Sequence, residues 1–213
     1  MNMKKVLVIA SHMDDEILGC GGTINKHIEQ GDEVSVLYIC SKQSVRFGNA
    51  ILEERKAHAR KVAELLQIKN IYFADLPLIM LDSIPQLDVV TAIEKVIFEV
   101  KPEILYCHPY EDINSDHRIV NQSAVVWCRP SKTPFLKKVY FYEIFSSNPN
   151  FAPNYYVDIS EQIDKKLEAL SLYTTEINVQ TRNIETTRAV AKYRGAEINV
   201  EYAEAFVLYR GID

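Results

Sequence analysis

Apolar residues in this chain fall into short runs that alternate with stretches of helical periodicity, and the alternation predicts a fold class. Val6 to Ala10 is a brief run rich in Val and Ile, as expected of a strand buried on both faces. A helix follows from about Asp15 to Gln30, closed by Gly31, and a second strand runs from Glu33 to Cys40. The polar loop Ser41 to Gly48 leads into a helix from Asn49 to Leu66, a short strand Ile71 to Phe73, and an irregular stretch Ala74 to Pro85. Asp88 or a near neighbour starts a helix through Val100 that ends before Pro102, and the strand Glu103 to Cys107 follows. Ile119 to Trp127 reads as a helix and Lys138 to Ile144 as a strand with alternating aromatics. After the turn-rich Phe145 to Pro153 come a short strand, Tyr155 to Ile159, and a helix capped by Ser160 that runs to about Thr174. A last helix ends near Gly195, and Ala203 to Tyr209 forms a closing strand. Repeated strand and crossover-helix units predict an α/β fold of Rossmann-like, three-layer type. A mostly parallel sheet would be covered on both faces, with later aromatic strands joining antiparallel at an edge.

Length and composition keep this picture to one domain. The chain has 213 residues, 47% hydrophobic and 25% charged, enough for one sizeable core over residues 1–213. The formal net charge of -5 without any basic block argues against nucleic acid or an anionic membrane surface as the main partner. No apolar stretch of about 18 residues is present to span a bilayer, and the opening residues lead straight into a strand, so a cytoplasmic location is the expectation. Cys20, Cys40, Cys107 and Cys128 are widely spaced in apolar or small-residue surroundings, which predicts buried reduced thiols.

Candidate chemistry gathers behind two strands. Ser11-His12-Met13-Asp14-Asp15-Glu16 follows the first, where open α/β sheets bind their ligands. On an opening helical turn His12 and Asp15 can aim at one point and leave Asp14 free. On the residues alone, Asp14 and Asp15 also fit as first-turn acids that complement a helix dipole. About a hundred residues on, the strand ending at Cys107 runs into a segment from His108 to Arg118. Catalytic zinc takes three protein ligands from His, Asp or Glu and leaves one position open, and His12, Asp15 and His117 make such a set. His108 competes for the third place, although its position against a strand end and before Pro109 suits a loop-shaping role. His27 and His58 lie in helical patterns and read as structural.

These residues resemble the LmbE and PIG-L-like metal-dependent N-deacetylases, which act on N-acetylglucosamine groups. The family's Ala-His-Pro-Asp-Asp-Glu block is matched by Ser11 to Glu16, followed by Leu18-Gly19-Cys20-Gly21-Gly22-Thr23. Its second signature, a loop ending in Asp-His, is matched by His108-Pro109 and by Asp112 through Arg118. The likeness continues through Arg182 to Gly195 and Val200 to Phe206. It implies that His12, Asp15 and His117 bind zinc, with ferrous iron able to use the same donors. It further implies that Asp14 is the general base for a metal-activated water and that the substrate is a small N-acetylated amino sugar or its conjugate.

Three departures mark this chain. Met13 replaces the usual proline, which removes a fixed φ but adds no competing ligand. Asn114 stands where many members carry a histidine, and asparagine can donate to an oxyanion but cannot shuttle a proton at neutral pH. Asp14 would then serve as both base and acid. Asp116, which commonly orients that histidine, is left either in that catalytic neighbourhood or as the carboxylate partner of a metal-bound imidazole. In the helix Asn49 to Leu66, Arg55 matches the family's substrate-contacting arginine, while His58 stands where an acid is usual. Arg55 equally fits a solvated helix charge. Tyr110, in the second motif loop, is the candidate for stacking on a sugar face. Arg182 and Arg194 fall in a region that is substrate-side or an oligomer contact in the family, so a homo-oligomer is possible, and Arg194 also fits a helix-end role. The rival functions are a catalytically silent sugar or partner binder and a Rossmann-type nucleotide-binding protein. The second is disfavoured because Gly19, Gly21 and Gly22 come two turns into their helix, where they serve close packing better than a phosphate.

Overall fold

The computed structural model describes residues 3–43, 49–177 and 181–212. Seven strands form one sheet: β1 (Lys5–Ala10), β2 (Glu33–Lys42), β3 (Asn70–Pro77), β4 (Ile104–Cys107), β5 (Lys138–Tyr142), β6 (Tyr155–Asp158) and β7 (Ala203–Gly211). Six α-helices accompany them among the described residues: α1 (Asp15–Glu29), α2 (Asn49–Leu66), α3 (Gln86–Val100), α4 (Ser115–Val125), α5 (Ile163–Ser171) and α6 (Ile184–Ala196). The strand order is β3-β2-β1-β4-β5-β7-β6. The first five are parallel, and β7 pairs antiparallel with both β5 and β6. The aromatic strand β5 therefore stays parallel, and the antiparallel change comes only at β7.

Alternation along each strand divides the core between the two faces, because successive side chains of a strand point to opposite sides. Val6, Val8 and Ala10 of β1 pack with residues of α1, α2 and α5, whereas Leu7 and Ile9 pack with α3 and α4. The expected three layers are thus present. The chain winds outward from β1 to β3 on one side and returns to β4 on the other. The gap between the carboxyl ends of β1 and β4 is therefore the point where the winding reverses, and ligands of open parallel sheets bind at such points.

Several elements depart from the pattern-based boundaries for local reasons. Helix α4 begins at Ser115 rather than Ile119 because the Asn114 side chain caps it, accepting the Asp116 N–H at 3.0 Å. His117 consequently sits on a rigid first helical turn rather than in a flexible loop. Strand β3 is longer than Ile71 to Phe73 and pairs with β2 through register shifts beyond Tyr38. Of the loop Ser41 to Gly48, residues 44–48 lie outside the described part of the chain. All four cysteines are free and buried, as expected.

The helix expected from Asp15 to Gln30 is broken. Cys20 is non-helical, and the two halves of α1 meet there at a kink. A Cβ on Gly19 would lie 2.2 Å from Tyr142 Cδ2, and one on Gly22 would lie 2.8 Å from Ile159 Cδ1, so these glycines allow close packing against β5 and the end of β6. The kink exposes backbone groups that need partners inside the protein. Glu204 of β7 accepts the Gly22 and Thr23 N–H groups at 2.9 and 2.7 Å. Lys166 of α5 donates to the Leu18 carbonyl at 2.9 Å and to Glu204 at 2.7 Å. The Lys166–Glu204 pair is buried and satisfies both sides of the break.

Removing one charge of that pair would strand the other. Glu204→Gln is expected to destabilise the protein by about 3–5 kcal/mol, since Lys166 would remain buried without a counter-charge. Urea unfolding of the two proteins measures this, and an unchanged midpoint would show that the pair does not hold the kink.

Candidate active site

The loop after β1 places its polar residues by tight local bonding. The His12 N–H donates to Asp15 Oδ2 at 2.8 Å, and the Ser11 N–H donates to His108 Nε2 at 3.0 Å, tying the carboxyl ends of β1 and β4 together. Asp14 then enters α1 with φ 149° and ψ -25°, a backbone conformation that L-residues adopt only under strain. Its N–H is held by Glu16 Oε2 at 3.2 Å.

Three donor atoms converge below this loop. His12 Nδ1 lies 3.2 Å from Asp15 Oδ2, His117 Nε2 lies 3.3 Å from the same oxygen, and the two nitrogens are 3.1 Å apart. Tetrahedral zinc at its usual bond lengths spaces neighbouring ligand atoms about 3.3 Å apart, so the triangle has the size of one face of such a site. Asp15 Oδ1 is buried without a hydrogen-bond partner, which leaves that carboxylate unsatisfied by the protein alone. Burial disfavours charge on the imidazoles, yet the neighbouring Asp15 and Asp116 carry His12 well above its usual pKa. Asp15 offsets burial in the same way and raises His117. Burial acts to raise the Asp15 carboxyl, but His117 and His12 hold it well below its ordinary value. Without a metal, these carboxylates favour the protonated imidazoles.

Each imidazole is fixed from behind by a carboxylate. His117 Nδ1 is 2.8 Å from Asp112 Oδ2, which also accepts from Ser147 Oγ at 3.0 Å and Asn148 Nδ2 at 2.9 Å. His12 Nε2 is 3.1 Å from Asp116 Oδ2, which accepts the Ile79 N–H at 2.9 Å. Such carboxylate backing fixes the ring orientation of histidines that bind metals. Asp116 thus stands behind His12 as the carboxylate partner of that imidazole. Asp112 was not singled out from the sequence, and its place in the same motif as His117 was the available signal.

Two other groupings could hold a cation among the described residues, His12 with Cys40 and Asp116, and His108 with Asp112 and His117. Burial pushes the Cys40 thiol up to about 11, so an ion held by this grouping would have to displace a firmly held proton. In the other grouping, Asp112 already accepts from His117, and His108 Nε2 accepts from the Ser11 backbone. Burial, reinforced by His117, lowers His108 to about 4, in keeping with its loop-shaping place.

Asp14 lies beside the triangle with a different environment. Its Oδ2 is 3.1 Å from Arg182 Nη1, and its Oδ1 is buried without a partner. Burial, with Asp15 nearby, raises its carboxyl to about 7, against the opposing charge of Arg182. A carboxylate titrating near neutrality is suited to take up and release a proton.

Arg55 forms an ion pair with Glu176, which lies close enough to Asp14 to raise it further. The Asn114 carboxamide oxygen is used by the α4 cap. Tyr110 is 61% exposed in the loop beyond β4. His27 is held by Asp32 and the Tyr106 hydroxyl, and His58 lies beside Thr174. Arg194 grips Glu143 through two nitrogens at 2.9 and 2.7 Å and, from the last turn of α6, also bonds Glu197 at its C-cap at 2.9 Å, in line with the helix-end role.

The model of the PIG-L family, described as GlcNAc-PI de-N-acetylase, matches residues 7–128. Diacetylchitobiose deacetylase of Thermococcus kodakarensis is 26% identical over 239 positions, spanning 99% of this chain and 85% of that protein. Among solved structures, the conserved protein TT1542 of Thermus thermophilus superposes with a TM-score of 0.80 at 25% identity, covering 99% of this chain and 97% of the other. GalB of Pseudomonas putida, a 4-carboxy-2-hydroxymuconate hydratase, superposes with a TM-score of 0.77 at 22% identity, covering 99% and 98%. One fold thus serves more than one chemistry, and function must be argued from the site.

In metal-free protein Asp14 is expected to titrate near 7 and to move upward in Arg182→Gln, because the guanidinium favours the carboxylate. The folded chain holds this proton more tightly than the unfolded chain does. Its contribution to stability is therefore present below pH about 4 and is lost as pH rises through about 7. Carboxyl-carbon NMR titration of Asp14 checks both statements, and a pKa unmoved by Arg182→Gln would contradict them.

Proposed function

The chain belongs to the PIG-L family, and on that premise we propose that it is a metal-dependent hydrolase that removes the acetyl group from an N-acetylated amino sugar or its conjugate. The observation that carries this reading is the triangle of His12 Nδ1, Asp15 Oδ2 and His117 Nε2, with Asp14 buried beside it. These three residues would hold zinc or ferrous iron. A divalent metal there would supply Lewis acidity, lowering the pKa of a water toward about 7 and polarising the amide carbonyl.

The chain's own residues account for the proton transfers. Asp14 Oδ1, the oxygen free of Arg182, takes the proton of the attacking water, and the same carboxyl returns it to the amine nitrogen as the C–N bond breaks. The strain at Asp14 and the grip of Arg182 fix that carboxylate before substrate arrives, so little reorganisation is needed during reaction. Asp112 and Asp116 keep the two imidazoles oriented. Asn114 has no proton to shuttle, which leaves both proton steps to Asp14 and gives Asn114 the part of an oxyanion donor through its NH2 group. Arg55, paired with Glu176, and Tyr110, exposed in the loop beyond β4, are the side chains assigned to sugar contact in this reading. Acetate and a free amino sugar are the products.

Purified protein is expected to release acetate from at least one member of a panel of N-acetylated amino sugars, to lose that activity with a chelator, and to regain it with zinc. Asp14→Ala should keep the metal and lose at least about a hundredfold in kcat. His12→Ala and His117→Ala should lose both metal and activity. Acetate release beside metal analysis measures this. A fully active Asp14→Ala protein would overturn the mechanism, and a metal-loaded protein inert toward every sugar would instead favour a silent binder.

A further inference from the structure

Glu16 is fully buried next to the proposed metal site and takes no part in the mechanism above. Both of its carboxylate oxygens are engaged. Oε2 accepts the Asp14 N–H at 3.2 Å, and Oε1 accepts the Tyr173 hydroxyl at 2.6 Å. The Tyr173 oxygen lies 3.2 Å from that of Tyr38. Tyr38 belongs to β2 and Tyr173 follows the end of α5, and both are among the largest fully buried side chains. A continuous hydrogen-bonded path thus runs from the sheet and α5 to the backbone of Asp14.

That backbone is where support is needed. Asp14 has φ 149°, which the chain would leave if it were not held. Asp14 is also the residue before α1, where an aspartate ordinarily turns its side chain back to cap the helix. Here it makes no side-chain cap bond. A capping box would pair Asp14 with the residue three positions on, and that residue is Ile17, which has no acceptor to offer. The Asp14 N–H donates instead to Glu16, two positions on, and the Asp14 carboxylate is left to face Arg182 and the metal triangle.

We propose that Glu16 and Tyr173, backed by Tyr38, are positioning residues that hold the proposed base Asp14 in its strained, uncapped conformation. The proposal rests on the reading of Asp14 as the base. Released from Glu16, Asp14 would relax toward an ordinary cap, with its carboxylate bonded to the helix and withdrawn from the reacting water. A displacement of about 1 Å at a catalytic group can cost up to about a hundredfold in rate.

The test compares Tyr173→Phe, Glu16→Gln and Glu16→Ala with wild type and Asp14→Ala. Tyr173→Phe keeps the ring and its packing and removes only the hydroxyl. The expected result is a kcat lowered about tenfold in Tyr173→Phe and up to about a hundredfold in Glu16→Ala, with KM and metal content unchanged. Glu16→Gln should recover part of the loss, since its carboxamide oxygen can still accept the Asp14 N–H. A purely structural role would lower the melting temperature and leave kcat of the folded enzyme intact, and that result would overturn the proposal. Crystal structures of Tyr173→Phe and Glu16→Ala give a readout that needs no turnover. Asp14 is expected to leave its positive φ and part from Arg182, and an unmoved Asp14 would overturn the proposal even if the wild type proved inactive toward amino sugars.

Discussion

The arrangement depends on one buried carboxylate, Asp15. Its Oδ2 accepts the His12 N–H and lies within 3.4 Å of nitrogens of His12, His117 and His108. A carboxylate in an interior of low polarity is costly unless compensated, and its compensation here comes from imidazoles that are themselves costly to charge there. A shared cation, as proposed above, would meet both demands. The backing carboxylates Asp112 and Asp116, themselves held by Ser147, Asn148 and the Ile79 N–H, fix the two imidazoles around it.

The fold delivers these groups from three separate places. The β1 end supplies His12, Asp14 and Asp15, and the capped first turn of α4 supplies Asp116 and His117. The chain entering α6 supplies Arg182. The kink in α1 belongs to the same design, because Gly19 and Gly22 let the helix approach β5 and Ile159 while Lys166 and Glu204 take up the backbone groups it frees. The site end of α1 is thereby set against the sheet independently of its far half.

Much of this was legible in the sequence. The strand-helix alternation was readable because buried parallel strands are continuous apolar runs, and the two motifs placed His12, Asp15 and His117 behind two of them. What could not be read arose from contacts distant in sequence. The break at Cys20 depends on Lys166 and Glu204, and the Asp14–Arg182 contact spans 168 positions. Tyr173 carried no local signal, since its partner Glu16 lies 157 residues away. The early start of α4 was a local miss, because the Asn114 cap lies inside a segment that reads as a loop.

X-ray absorption spectroscopy of the zinc-loaded protein separates the two groupings around His12, because one of them includes the Cys40 sulfur. An ion held by His12, Asp15 and His117 has only nitrogen and oxygen neighbours, at about 2.0–2.1 Å, with outer scattering from two imidazoles. A sulfur neighbour near about 2.3 Å would instead place the ion on Cys40 and overturn the assignment.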